Sequence, residues 1–409
     1  MLIKLAWRNL WRQKRRTILT ASAIALALFL SLLMRSFQEG QYTSTIENSA
    51  KMSTGMIQIQ HPDYKDSLSI DDLLPSTSSF IQSAQSIDHI EHLLPRLESF
   101  SLAAAGERSK GVMMSGIHPD IDPEYTGLKD RLVKGEFIEL SDRSVLIGAG
   151  VARYFDLDVG DEIVFYGQGY RGQTAAGLYP IKGIVEFALP EINNTMVYLP
   201  LPLAQELLST GEQVSAWVIA LDSLKRIDDV STQLKAEYEP EQTVWDWTEL
   251  APEIEQSIVL DRVSGQFMMY LLYGIVGFGL FATLVMMTLE RQREFAVMLA
   301  TGMLRSKLVT LICVESAMIG LLGSAIGIAL ASPIIVYFFF NPIRLGGETA
   351  QMMLDMGYEP IMPVALDAGL YINQVLIVLG LLAICMVYPI ARLLKLKVVQ
   401  GLKGGAHAH

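Results

Sequence analysis

The placement of its apolar runs constrains this chain more than any other feature. One run, Ile18 to Met34, lies near the N-terminus, and three more come late: Phe267–Leu289, Leu308 to about Phe340, and Tyr371–Ile390. Between Glu39 and Ser264 nothing is long or apolar enough to cross a bilayer. A helix needs about 20 mostly apolar residues to cross the hydrocarbon, with about 17 at the short end. The pattern therefore predicts an α-helical membrane protein with four transmembrane helices and a large domain inserted between the first and the second. A composition with 51% apolar residues agrees. A basic start followed by an apolar run is also the pattern of a cleaved signal peptide, but this run is longer than a usual signal core and no Ala-x-Ala site ends it. It is read as a spanning helix.

Charge orients the spans. Residues 1–17 carry six basic side chains and no acid, whereas residues 35–264 carry 17 basic and 36 acidic ones. Arg291, Arg293, Arg305 and Lys307 stand in the loop after the second run, and Arg392, Lys395, Lys397 and Lys403 follow the fourth. Basic loops stay on the cytoplasmic side. The expected order is a cytoplasmic amphipathic helix (1–17), the first span (18–38), an extracytoplasmic mixed α/β domain of two lobes (39–264), the second span (265–289), a cytoplasmic segment (290–307), the third span (308–340), a short outer loop (341–370), the fourth span (371–390) and a cytoplasmic tail (391–409). Within the domain, alternation predicts strands at Thr54–Gln60, Gly111–Ile117, Ser144–Ile147, Glu162–Tyr166, Tyr179–Glu186 and Thr195–Leu199, and helices at Ser76–Ser86, Leu201–Leu208 and Ser223–Tyr238.

Few residues suggest chemistry of their own. The phosphate-cradling loop of ATPases needs a Gly-Lys pair, and that dipeptide does not occur in this chain. If ATP drives the protein, another subunit hydrolyses it. His89 and His92 could share a helix face, but no third ligand lies nearby in sequence and a solvated pair is the expectation; His407 and His409 are assigned no role. Cys313 and Cys385 sit in apolar runs and read as inert thiols. No catalytic, cofactor-binding or metal-binding residue is expected, and no nucleic-acid partner.

The inner segment is more informative. Phe295, Met298, Leu299 and Met303 fall on one helical face, and Glu290, Arg291, Arg293 and Glu294 open the segment with charge. Such a helix suits docking into a partner's groove or resting on lipid headgroups. In the third run Gly323, Gly327 and Ala331 form a stripe of small residues that lets helix backbones approach, either within the chain or between two copies. Glu315 in the same run is expected to pair with an arginine such as Arg291.

Four motifs, in this order, resemble the permease subunits of ABC transporters of the MacB/FtsX/LolC–LolE superfamily. They are Leu5-Ala6-Trp7-Arg8-Asn9-Leu10-Trp11-Arg12; the series Gly135-Glu-Phe-Ile, Val145-Leu-Ile-Gly148 and Leu157-Asp-Val-Gly-Asp161; Glu290-Arg-Gln-Arg-Glu294-Phe-Ala-Val-Met298 with Ala300-Thr-Gly302; and Tyr388-Pro389-Ile-Ala-Arg392 with Val398-Val-Gln-Gly-Leu402. The resemblance implies a bacterial inner-membrane protein paired with a second permease, identical or paralogous, on a cytoplasmic ABC ATPase dimer that holds ATP and Mg2+. It makes the inner segment a coupling helix, with Glu290, Arg291, Arg293, Glu294, Phe295, Met298, Leu299 and Gly302 as ATPase-coupling residues. It implies mechanotransmission, leaning toward extraction of a lipoprotein or amphiphile from the outer leaflet; the alternatives are an efflux or peptide-export permease and a mechanical regulator of cell-wall hydrolases. A periplasmic carrier or adaptor and membrane lipids are further expected partners. For an extracting dimer, the candidate substrate gate is Leu30, Leu33, Met34 and Phe37 on the first span and Phe267, Met268, Leu271 and Leu272 on the second.

Overall fold

The computed structural model describes residues 2–12, 14–187, 189–355 and 360–396; the 398–402 motif, Lys397, Lys403 and the terminal histidines lie outside the described residues. The chain forms two compact units, one of residues 1–42, 258–343 and 362–409 and the other of residues 43–257 and 344–361.

The first unit is helical. An N-terminal helix (Leu2–Arg12) precedes four long apolar helices, Lys14–Ser49, Pro252–Glu290, Arg305–Phe340 and Ala368–Leu394, and a short inner helix (Gln292–Ala300) joins the second to the third. The first two long helices run past their apolar sequence. At 1.5 Å per residue they measure about 54 and about 58 Å, against a hydrocarbon layer of about 30 Å. Polar contacts hold the surplus: the Tyr42 hydroxyl donates to Asp261 Oδ2 at 2.6 Å, Gln38 Nε2 to the same oxygen at 3.3 Å, and Arg262 lies over the Tyr42 ring at 5.4 Å. The inserted domain therefore begins and ends inside helix, not at the apolar boundaries of residues 39 and 264.

The small-residue stripe packs within the chain. A side chain at Gly323 would meet the Ala21 carbonyl at 2.8 Å, one at Gly327 the Ala25 carbonyl at 2.9 Å, and Ala331 is fully buried. The first and third spans thus touch backbone to backbone, where dispersion and packing replace the hydrophobic drive that lipid does not supply. The fourth span closes on its neighbours through Ser316 Oγ to Met386 Sδ at 3.0 Å and Cys385 Sγ to the Gly277 carbonyl at 3.4 Å. Both cysteines are free.

The second unit is mixed α/β. Twelve strands follow between residues 57 and 246: β1 (Ile57–Gln60), β2 (Leu74–Pro75), β3 (Ile90–Ala105), β4 (Arg108–Ile117), β5 (Leu132–Gly135), β6 (Val145–Gly148), β7 (Glu162–Gln168), β8 (Thr174–Val185), β9 (Met196–Pro200), β10 (Gln213–Val214), β11 (Ala216–Leu221) and β12 (Thr243–Asp246). Pairing of β3–β4–β9–β6–β8–β7 and back to β3 closes a six-stranded barrel. The first half of β3 leaves that ring and pairs β11, which continues through β1 to β12 as an antiparallel arm. One sixteen-residue strand therefore belongs to both halves of the domain. Alternation fills the barrel with Val112, Met114, Val145, Ile147, Ile163 and Phe165, and the same core runs on under the arm through Ile57, Ile59 and Ile219. The helix at Leu201–Leu208 begins and ends as the periodicity predicts.

Candidate functional site

The inner helix exists because charge opens it and a glycine closes it. After Ala300 the amide of Gly302 bonds the Leu299 carbonyl at 3.1 Å and that of Met303 bonds the Met298 carbonyl at 3.0 Å. This paired closure needs a left-handed residue, and Gly302 has φ +96°. A side chain at Gly302 would meet no atom, so its role is conformational.

The helix turns its apolar face inward. Phe295 is 1% exposed, and Met298, Leu299 and Met303 pack against the core of the spans beside Leu284, Leu308 and Leu311. The groove that this face fills belongs to the chain itself. Turned outward are Arg293, Val297, Ala300, Thr301, Gly302 and Leu304, all exposed.

Charge fixes this arrangement. Arg291 is 6% exposed and Glu315 3%. The guanidinium donates to Glu315 Oε2 at 2.5 Å and Oε1 at 3.4 Å, its Nε reaches Glu294 Oε2 at 3.3 Å, and Asn9 Nδ2 donates to Glu315 Oε1 at 2.7 Å. Arg12 pairs with Glu294 at 2.5 Å, and Arg16 forks onto both carboxylate oxygens of Glu290. The N-terminal helix, inner helix and third span are thereby cross-linked. Burial makes the central pair costly to break, since a lone charge left inside is worth about 3–5 kcal/mol of destabilisation. The sequence pairs Arg291 with Glu315; Asn9, Arg12 and Arg16 are the partners it leaves out. Their signal was present in the concentration of basic residues at 1–17 facing acids at 290 and 294.

Of the eight residues expected to couple, Arg291 and Phe295 are buried, Met298, Leu299 and Glu294 are half-buried, and Glu290, Arg293 and Gly302 are exposed. The gate residues also divide. Phe267, 64% exposed, stands outward with Met268, Leu271 and Leu30, while Leu272 is half-buried. Leu33, Met34 and Phe37 are taken up in packing against the spans, Phe37 with its ring 6.1 Å from that of Phe338. His89 and His92 do not come together on a helix: His89 precedes β3 with a left-handed φ of 75° and bonds Asp222 at 2.8 Å, and His92 lies within the strand.

Comparison with known proteins accounts for this architecture. A family model described as the MacB-like periplasmic core domain matches residues 17–237, and one described as the FtsX-like permease C-terminal region matches residues 266–398. The chain is 23% identical over 319 residues to the lipoprotein-releasing system transmembrane protein LolC of Neisseria meningitidis serogroup B, covering 74% of this chain and 75% of that one. It is 21% identical over 320 residues to the LolC of Xylella fastidiosa, covering 76% of each. Among solved structures, the periplasmic region of MacB from Actinobacillus actinomycetemcomitans matches with 15% identity over 51% of this chain and 94% of that chain, at a TM-score of 0.35. The extracellular domain of the ABC-type transporter YknZ from Gram-positive bacteria matches with 12% identity over 47% of this chain and 100% of that chain, at 0.34. The first family model alone spans more than half of the 409 residues and the second takes up the later spans, so the chain belongs to the ABC-transporter permeases of the MacB/FtsX type.

Proposed function

We propose that this permease works as one of a pair on a dimeric cytoplasmic ATPase, which binds ATP and Mg2+, and that it uses the ATPase stroke to lift a lipidated or amphiphilic cargo from the outer leaflet of a bacterial inner membrane. Both termini then lie on the cytoplasmic side, as the basic loops favour. The observation that carries the reading is the construction of the inner helix. It is fastened to the third span by the buried Arg291–Glu315 pair, which Asn9 of the N-terminal helix also joins, and to the N-terminal helix by the exposed Arg12–Glu294 pair, and it leaves Arg293, Val297, Ala300, Thr301 and Leu304 outward. A push on that outward face is passed to the spans, because a helix so fastened moves with what it is fastened to. Curated relatives named for lipoprotein release favour a lipidated cargo, and Leu30, Phe267, Met268 and Leu271 offer exposed apolar surface to acyl chains.

The test joins the two ends. A photo-crosslinker at Phe267 is expected to capture a lipidated protein in cells, with capture falling when a non-hydrolysable ATP analogue is supplied to permeabilised cells. Val297→Glu, on the outward face, is expected to reduce ATPase co-purification and abolish that nucleotide response. Capture of bulk phospholipid alone, whatever the nucleotide, would end the extraction reading and leave a mechanical regulator of cell-wall hydrolases ahead.

A further inference from the structure

The outer domain contains a cavity that the transport reading does not use. The arm strands and the β3–β4–β9 side of the barrel share a face opposite the hydrophobic core. On that face stand Gln58, Gln60, Arg96, Glu98, Ser115 and Tyr198, brought into line by the register Gln60↔Ala216↔Arg96 and Glu98↔Ser115↔Tyr198. A polar sheet face usually meets water. Here Tyr64, the helix Asp122–Thr126 and Phe187 lie over it, and they enclose a cavity of about 510 Å³. That volume is typical of small-molecule sites.

The charges inside do not balance pairwise. Arg96, 5% exposed, and Asp122, 1% exposed, form a forked pair at 3.1 and 3.2 Å. Glu98, two residues along the same strand, lines the cavity, and its carboxylate has no hydrogen bond or ion pair among the described residues. Burial pushes the Glu98 carboxyl above the usual range, against the pull of Arg96 and with that of Asp122. Three cations also line the cavity without an ion pair among the described residues: Lys51; Lys65, whose Nζ lies 3.9 Å over the Trp245 ring; and Arg131, 5.5 Å from the Phe187 ring. The Gln60 amide donates to Gln58 at 2.6 Å, and its buried Oε1 meets no donor among the described residues. Met113, Met196 and Phe187 supply an apolar wall. A buried acceptor and an unmatched carboxylate cost stability unless something fills the space beside them.

We infer that this cavity is a binding site for a small zwitterion with an apolar body, of the kind a short apolar peptide presents, whose ammonium group pairs with Glu98. Its anionic end is then matched by the unpaired cations, its apolar body by the two methionines and Phe187, and its amide by the glutamine row. A plain cation meets those cations as repulsion, and a plain anion leaves Glu98 unmatched.

The probe is the dipeptide Leu-Leu, titrated calorimetrically into the full-length protein in lipid nanodiscs, without ATPase, with empty nanodiscs subtracted. Saturable one-to-one binding is expected, weakened at least tenfold by Glu98→Gln and by acetylation of the peptide amine, with no further loss when the two are combined. Met113→Trp, which fills the cavity and leaves Glu98 in place, is expected to abolish binding as well, and it decides the matter should Glu98→Gln fail to fold. Absent binding, or equal affinity for acetylated and free Leu-Leu, overturns the proposal. Because no ATPase or lipidated cargo takes part, these outcomes leave the transport reading untouched.

Discussion

Among the described residues two arginine–carboxylate pairs are buried, one in each unit, and they end differently. Around Arg291 and Glu315 every strong group finds a partner: Asn9 completes the glutamate, Glu294 takes the arginine Nε, and Arg12 holds Glu294. Around Arg96 and Asp122 the pair is just as dry, but Glu98 stands beside it without one. A closed network ties rigid helices together and has no capacity left for a ligand. An open one has groups left to meet a ligand. The difference teaches that burial of charge does not by itself mark function; what matters is whether the account of donors and acceptors closes.

The comparison breaks most sharply at Glu315. Glu315→Ala leaves Arg291 as a lone buried cation, and a loss of about 3–5 kcal/mol is expected for the membrane unit. Thermal unfolding of the purified protein in detergent measures it. Replacing the whole pair, Arg291→Met with Glu315→Leu, is expected to restore most of that stability, because matched apolar side chains carry no desolvation penalty. If the double variant also restored full coupling to an ATPase, the pair would be a packing device and not part of the transmission.

At Glu98 the sign reverses. Its carboxyl is held above the usual range, so the folded state grips the proton more tightly than the unfolded chain does. The stabilising contribution is complete at acid pH and is lost as pH rises through the folded-state value. Arg96, Asp122, Tyr64 and Tyr198 face it, with Lys51, Lys65 and Glu249 across the cavity. Glu98→Gln is therefore expected to stabilise the protein at neutral pH by about 1 kcal/mol or less, the scale of relieving one unmet, half-buried polar group. The gain is expected to vanish in acid, where both side chains are neutral. Unfolding curves at a series of pH values check this, and a variant less stable at neutral pH would mean that Glu98 already has a partner.

The two units were also unequally legible. The spans were visible because lipid demands long apolar runs, and Glu315 betrayed its partner because an ionisable group in such a run must be matched. Helical continuation past those runs was not visible, since Gln38, Tyr42 and Asp261 look like ordinary surface until a fold brings them together. In the outer domain β6, β7 and β9 announced themselves through alternation. The longest strand, β3, did not, because Pro95, Arg96 and Glu98 interrupt its pattern and its two halves serve different neighbours. The inner helix was read correctly as amphipathic, but a pattern cannot say whose groove its apolar face fills, and Phe295 fills the chain's own. The cavity had no sequence signature: its polar face comes from four strands that only register aligns, and the rest of its lining comes from helices and loops far apart in sequence.

The smallest expected effect lies at the rim of the closed network. Arg12 donates to Glu294 at 2.5 Å, yet its side chain is 58% exposed. An ion pair open to water gains little, because solvent screens the attraction and two long side chains lose freedom in holding it, so such pairs are worth about 0–1 kcal/mol. Salt weakens them further, over a screening length of about 8 Å at physiological ionic strength. Arg12→Ala should therefore shift thermal unfolding only slightly, by well under the Glu315→Ala effect, and the shift should shrink in high salt. Coupling is the more sensitive readout. If the N-terminal helix and the first span move with the inner helix, nucleotide-dependent crosslinking at Phe267 should weaken in Arg12→Ala in combination with Arg16→Ala, since the Arg12–Glu294 link to the inner helix and the Arg16–Glu290 link between the first and second spans are then both gone, leaving Asn9 on Glu315 of the third span. A double variant with unchanged stability and unchanged nucleotide response would confine the working part of the network to its centre, Asn9, Arg291 and Glu315, and sharpen the contrast with the open network around Glu98.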